Sequence, residues 1–481
     1  MKTLGMTPFA LLAGLSALGL AAPAYADDAA VSDDQASEPA PTRTEARRED
    51  EPGERKIGSP SQDQRGAALA GPSPGAASQP LPATTDHERQ TLTGDWWGLR
   101  SRLVDDGITF RADYVSETLG VVQGGLRKGT AYAQQLRGGV DLDMDKIVGW
   151  KGGKLHFTVN DRKGVGTSSD YVGNRLPIQE VYGGLYTKLT ELTVEQDFDG
   201  GKLNVRAGYF AMGNDMGGIA AGCNFVNAAF CAHPLSMSGN TGWYNYPNAR
   251  WGIAFRAKLR NDLTLRVGVD QVNPQLSVEH NAFRIFAGGT TGVLLPVELE
   301  YTPGHNPGDH WLPGSYKLGF IYDTSNVAKT GRSGKVGSRQ GYYLLVNQQV
   351  LRERGNKRSL GVIAAYTLNP RASAQITRWY TLGLIQTGTF KGRDQDTFNV
   401  GVVKAVVNPR LREAYADTND LAGGMDSLPQ GETAFEVSYG IQVNHWMILR
   451  PDVQYIADPG AFSYANRKDA IAAGAQVKIQ F

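Results

Sequence analysis

From about residue 107 onward, apolar and polar positions alternate with a period of two, in runs of roughly ten residues broken by Gly, Pro, Asn and Asp. In Ile108-Thr109-Phe110-Arg111-Ala112-Asp113-Tyr114 the charges fall on one face and the apolar side chains on the other. Leu203, Val205, Ala207 and Tyr209 likewise oppose Asn204 and Arg206, and Trp251, Ile253 and Phe255 oppose Arg250 and Arg256. Leu263, Leu265, Val267 and Val269 oppose Thr264, Arg266 and Asp270. About sixteen such segments are predicted, with starts near 108, 131, 153, 180, 202, 249, 263, 291, 315, 341, 359, 378, 396, 433, 446 and 470. The last run, Ala475 to Phe481, would place Val477, Ile479 and Phe481 toward lipid and Gln476, Lys478 and Gln480 toward water.

Alternation of this kind fits a soluble sandwich or an inverted barrel. The other end of the chain decides between them. Lys2, an apolar run from Ala10 to Ala22 and the small-x-small triplet Ala24-Tyr25-Ala26 predict an export signal over 1–26, cleaved before Asp27. No later stretch of 18 apolar residues is available for a spanning helix. An exported chain of strands can still enter a bilayer if its sheet closes and leaves no backbone group unpaired. The expected fold is therefore all-β: a 16-stranded antiparallel transmembrane β-barrel, in the outer membrane of a Gram-negative cell. Aromatics such as Trp379, Tyr380, Trp446 and Tyr455 are read as interfacial, and sixteen strands leave an aqueous lumen.

Residues 27–90 are rich in Pro, Ala, Ser, Glu and Arg and hold too few apolar side chains to order themselves, which predicts a mobile periplasmic extension. Contact with peptidoglycan or another envelope protein is the alternative role, though no motif argues for it. The barrel domain is assigned to 91–481.

The net charge of +1 gives no basic stripe, which argues against nucleic-acid binding. Cys223 and Cys231 read as a disulfide of an oxidising compartment, and His233 beside them does not complete a metal set. His305 and His310 lie in a Gly/Pro turn and read as solvated. No Gly-x-Ser-x-Gly, His-Glu-x-x-His or phosphate-binding glycine loop is present, so neither catalysis nor a cofactor is expected.

The block Leu92-Thr93-Gly94-Asp95-Trp96-Trp97-Gly98-Leu99-Arg100 resembles the opening of carbohydrate-selective porins of the OprB family. Asp170-Tyr171-Val172-Gly173-Asn174, Pro177-Ile178-Gln179-Glu180-Val181-Tyr182 and Cys223-Asn224-Phe225-Val226-Asn227 continue the likeness. So do Gln271-Val272-Asn273-Pro274, Tyr322-Asp323-Thr324-Ser325 and Arg450 to Ile456, in order, over 91–481. The resemblance implies passive entry of sugars, monosaccharides first with polyols and small oligosaccharides after them, through a narrowed, arginine-containing eyelet. Trp97 stands where the family usually has glycine, Tyr209 near where it often has arginine, and the 27–90 extension is not general to it.

A sugar offers hydroxyls on its rim and C–H groups on its faces, so a selective pore needs fixed donors and acceptors that bind weakly. Strand alternation nominates Arg111, Asp113, Arg206, Arg256, Arg266 and Asp270, with Arg206, Arg256 and Arg266 forming a ladder on consecutive strands. Wall charges that merely pair with one another are the competing reading. Two long connections, 160–180 and 211–248, nominate Asn160, Asp161, Arg162, Asn214, Asp215, Trp243 and Tyr246. The second holds the cysteine pair and is either a fixed eyelet or a rigid cap; Trp243 is either a stacking platform or an anchor. A general diffusion porin, and a barrel that anchors a cell-wall-binding tail, are the alternative functions. Oligomeric state is left open by the sequence.

Overall fold

The computed structural model describes residues 91–481 apart from 182–184, 232, 306–309, 354–357 and 422–427; the expected export signal and extension lie outside these residues. Sixteen antiparallel strands close into one barrel. They are β1 Ile108–Gln123, β2 Gly129–Asp143, β3 Gly153–Gly164, β4 Tyr186–Phe198, β5 Leu203–Phe210, β6 Arg250–Arg260, β7 Leu263–Val272 and β8 Gly292–Tyr301. The circuit continues with β9 Gly314–Asp323, β10 Arg339–Arg352, β11 Ser359–Leu368, β12 Ile376–Thr387, β13 Thr397–Val407, β14 Gly431–Asn444, β15 Met447–Ala457 and β16 Ala470–Gln480. β16 returns to β1 in a register running from Asp113 opposite Gln480 to Gln123 opposite Ile471. Closure satisfies every edge, which is what a sheet in lipid requires.

Starts fall within two residues of the expected positions, with one exception. The fourth strand begins at Tyr186 and not near 180. Gln179, Glu180 and Val181 instead lie in the lumen, their ladder replaced by contacts to a wall carboxylate described below. A second difference follows: Asn160, Asp161 and Arg162 belong to β3 and not to the connection after it.

The outward face is apolar, as the alternation predicts. Phe157, Leu192, Val194, Phe255, Leu318, Leu344, Leu382 and Leu384 are exposed there, and rings pair across strands at Phe320–Tyr342, Tyr366–Tyr380 and Phe435–Tyr455. Among the described residues no helix is long and apolar enough to span a bilayer.

The inward face departs from the expected pattern. On β10–β14 it carries Tyr343, Leu345, Ile363, Ala365, Trp379, Val403 and Ala405, all buried in one apolar cluster with Phe225, Phe230, Leu235, Met237 and Trp243 of the 211–249 connection. Trp379 thus points inward, donating to Thr381 Oγ1 at 2.8 Å, and is not interfacial. The stacked pair Phe225–Phe230 (4.3 Å) lies over Gly383 and Gly401, where a Cβ would come within 3.1 Å of the rings. The lumen on this side is therefore a packed core. A barrel wall facing a folded loop follows soluble rules, which is why both faces of these strands are apolar.

At the short-turn end, Arg100 reaches the seam strands. It donates to Thr91 Oγ1 and to the Phe481 carbonyl oxygen, both at 2.8 Å, while Asp95 accepts from the Ser101 amide at 2.8 Å. The turn between them holds Trp96 and Trp97 at φ 50° and 56°. Glycine enters that region without strain, so tryptophan at 97 carries a backbone cost that glycine would avoid.

Candidate functional site

Two connections enter the lumen, 165–185 and 211–249, and both are held by carboxylates projecting from the wall. Glu117 on β1 accepts the amides of Glu180 and Val181, each at 3.2 Å. Glu432 on β14 accepts those of Arg175 and Leu176, each at 2.7 Å. Glu436, four residues further along the same strand, accepts Val226 (2.7 Å) and Asn227 (2.8 Å). Glu298 on β8 takes the Gly217 amide at 2.8 Å and Asp323 on β9 takes that of Gly242 at 2.6 Å. All five carboxylates are buried. Irregular backbone in a protein interior must place its N–H groups somewhere, and a carboxyl group offers two acceptor oxygens on one side chain. Cys223 and Cys231 are joined by a disulfide within the second connection.

What the loops leave open is a cavity of about 220 Å³ against β1–β7. Its floor is the loop segment Asn214-Asp215-Met216. Its lining bears five cations (Arg111, Lys154, Arg206, Arg256, Arg266) and four carboxylates (Asp141, Glu191 and Glu195 on the wall, Asp215 on the floor), together with His156 and Asn204. Register explains the placement. Asn204, Arg256, Arg266 and Glu298 stand directly opposite one another across β5, β6, β7 and β8, so one row of inward side chains crosses the cavity. Next to Glu298 in the same row is Gly319, where a Cβ would collide with the Tyr343 ring, and Tyr343 donates its hydroxyl to Glu298 at 3.0 Å.

The charges differ in how far they are committed. Arg206 pairs with Glu191 on the wall and with Asp215 on the loop (2.9 Å), and its side chain is 8% exposed. Burial raises the Asp215 carboxyl above its ordinary range, and Arg206 opposes that rise. Arg266 donates to Glu300 at 2.6 Å and Glu298 at 3.3 Å. Arg111 holds Asp141 at 2.5 Å, and Asp141 also meets His156 Nδ1 at 2.7 Å. Arg256 is the exception: its single ion pair among the described residues, with Asp197, spans 3.9 Å and its side chain is 34% exposed. A guanidinium so loosely held keeps most of its donors for a passing solute.

The remaining nominated residues lie elsewhere. Asp113 pairs with Arg137 at 2.5 Å on the wall nearby. Asp270 is buried on β7 outside the cavity lining, and Arg162 is buried on β3, donating to Gln135 at 2.8 Å. Trp243 is enclosed in the apolar cluster with its ring edge-on to His233 at 5.3 Å, and Tyr246 is buried too, so neither offers a free ring face. His233 is held neutral by burial, its pKa pushed down to about 3.

The fold has counterparts among known proteins. Residues 127–481 match the carbohydrate-selective porin, OprB family. The chain belongs to that family. It is 31% identical over 436 residues to Porin B of Pseudomonas aeruginosa, an alignment covering 85% of this chain and 94% of that one. The high-pH structure of Pseudomonas putida OprB superposes with a TM-score of 0.77 at 28% identity, covering 82% of this chain and 99% of that one.

Sequence reasoning alone does not nominate several residues that shape this porin's lumen. Asp141, His156, Glu191 and Glu195 line the cavity, and their inward positions were available from strand alternation. The five loop-holding carboxylates were not legible as such, because their partners are backbone amides supplied from elsewhere in the chain.

Proposed function

We propose that this porin passes neutral sugars of glucose type through the cavity beside Asp215, with Arg256 as the principal contact and Arg206 as the post that fixes the loop. Polyols and small oligosaccharides are further permeants. The near-balance of five cations and four carboxylates supports the reading: it offers donors and acceptors to hydroxyls while giving no strong net attraction to one sign of ion. Arg206, Arg266 and Arg111 satisfy wall and loop carboxylates first, and Asn214 and Asp215 complete the floor. The chain is a channel and not an enzyme, acting in the outer membrane after removal of residues 1–26, with 27–90 as a periplasmic extension.

Liposome swelling tests this directly. The reconstituted protein should admit glucose faster than a neutral amino acid of equal size, and Arg256→Ala should reduce that preference. Equal rates would favour a general diffusion porin; no swelling at all would favour a barrel that serves only as an anchor for its tail.

A further inference from the structure

The connection between β7 and β8 spans residues 273–291. It folds over the rim, where Arg250 donates to Ser277 Oγ at 2.6 Å, and lays its apolar side chains on the outward face of the wall. Leu276, Ile285 and Ala287 pack on Leu189, Tyr209 and Trp251, whose side chains point away from the lumen. Trp251 donates its indole N–H to the Ile285 carbonyl at 2.8 Å and stacks on Phe286, centroids 5.0 Å apart at 20°.

The wall is shaped to receive it. A bulge in β4 shifts the register between Thr158 and Val159, and the Leu189 amide donates to the Ala282 carbonyl at 3.2 Å. Lys188 reaches the Leu276 carbonyl at 2.7 Å, and Glu279 accepts the Leu185 amide at 3.3 Å. Within the loop, Asn281 donates to the Gln275 carbonyl at 2.9 Å and Asn273 to that of Ala287 at 2.9 Å. The loop is thus a fixed structure with a cleft of about 560 Å³, lined among others by Gln275, His280, Phe283, Arg284 and Phe286.

Its chemistry is mixed in a specific way. Phe286 is 82% exposed and Phe283 58%, an arrangement costly in water. Between them stands Arg284, with His280 on the same cleft, and neither side chain has a carboxylate partner among the described residues. Barrels of this class carry their longer loops on the extracellular side, and β7 and β8 meet at the long-loop end. An aromatic pair with uncompensated donors, on the lipid-facing wall at that level, faces the border between acyl chains and headgroups.

We propose that the 273–291 loop is a binding site for a phosphorylated glycolipid of the outer leaflet. Arg284 and His280 take a phosphate, for which the planar guanidinium fork is suited, and Phe283 and Phe286 lie along its acyl chains. The site sits on the outside of the barrel, apart from the permeation cavity, and its occupancy does not depend on which solute the pore admits.

Native mass spectrometry of the detergent-solubilised full chain, titrated with bis-phosphorylated lipid A, provides the test. The wild type should retain one lipid A, and the His280→Ala/Arg284→Ala variant should weaken retention about tenfold or more, the loss expected for charge-assisted hydrogen bonds to phosphate. Dephosphorylated lipid A and phosphatidylcholine should be retained no better by wild type than by variant. Unchanged glucose swelling by the variant shows an intact barrel. Equal retention of lipid A by wild type and variant, or of all three lipids by the wild type, would overturn the proposal. So would a dimer that dissociates in Phe283→Ala/Phe286→Ala, since the cleft would then serve a second copy of the chain.

Discussion

Glu436 offers the sharpest perturbation of the eyelet. Its buried carboxylate accepts two amides, from Val226 at 2.7 Å and Asn227 at 2.8 Å, at the turn that carries the disulfide into the lumen. Leaving a buried amide without its acceptor costs about 1–3 kcal/mol, so Glu436→Ala removes roughly 2–6 kcal/mol from the closed position of this segment. At about 1.4 kcal/mol per factor of ten, its excursions should become on the order of thirtyfold more frequent, or more. Glu436→Gln keeps one acceptor and the side-chain shape, and should lose about half as much. Glu298 at Gly217, Asp323 at Gly242 and the Phe225–Phe230 stack remain, so the barrel should fold and the effect should stay local. Backbone amide hydrogen exchange at Val226 and Asn227 reads the opening, and single-channel recordings in planar bilayers read its consequence as current noise with a raised mean conductance. Wild-type protection at both amides in Glu436→Ala, with a quiet current, would refute the idea that wall carboxylates hold the loop.

Arg206→Ala should destabilise by about 2–4 kcal/mol, because it leaves the buried Glu191 with Thr158 at 2.7 Å and Arg111 at 3.7 Å and frees Asp215, and heat-induced unfolding of the barrel in detergent measures it. Arg256→Ala, at an exposed and weakly paired site, should change stability by no more than about 0.5 kcal/mol while altering glucose flux, a contrast that heating and swelling assays together would expose. His233 is held neutral, with its pKa pushed to about 3, so a released loop takes up a proton below about pH 6.5 where the packed loop does not. Loop stability should therefore be full above that pH and fall by about 1.4 kcal/mol per unit as the pH drops toward 3; hydrogen exchange as a function of pH should show this, and His233→Gln should flatten it. Reduction of Cys223–Cys231, or Cys223→Ser with Cys231→Ser, should lower loop stability by about 2–3 kcal/mol, measurable as faster cleavage by protease within 211–249.

Period-two alternation was enough to place the strands and to turn Arg111, Arg206, Arg256 and Arg266 inward, because the side-chain period is a property of extended backbone alone. It could not say which of these arginines would be spent on Glu191, Asp215, Glu298 and Glu300, since those pairings depend on the register of separate strands and on a loop folding back. The apolar inner face of β10–β14 was hidden for the same reason. Leu345, Ile363 and Val403 look surplus in a pore until Phe225 and Phe230 are laid against them. Glu180 illustrates the limit most plainly: its stretch reads as strand, yet its amide is held by Glu117 and its carboxylate meets Lys478 at 2.9 Å, a contact spanning most of the chain. The wall-hugging course of 273–291 meets the bulge at Thr190, which leaves no mark in the alternation.

The account stands most directly on what glucose does to current through one reconstituted channel. It expects conductance to fall saturably as glucose is added, beyond the effect of viscosity, and Arg256→Ala to weaken that block. A current that tracks viscosity alone, in wild type and variant alike, would mean that sugar is not bound in the cavity beside Asp215.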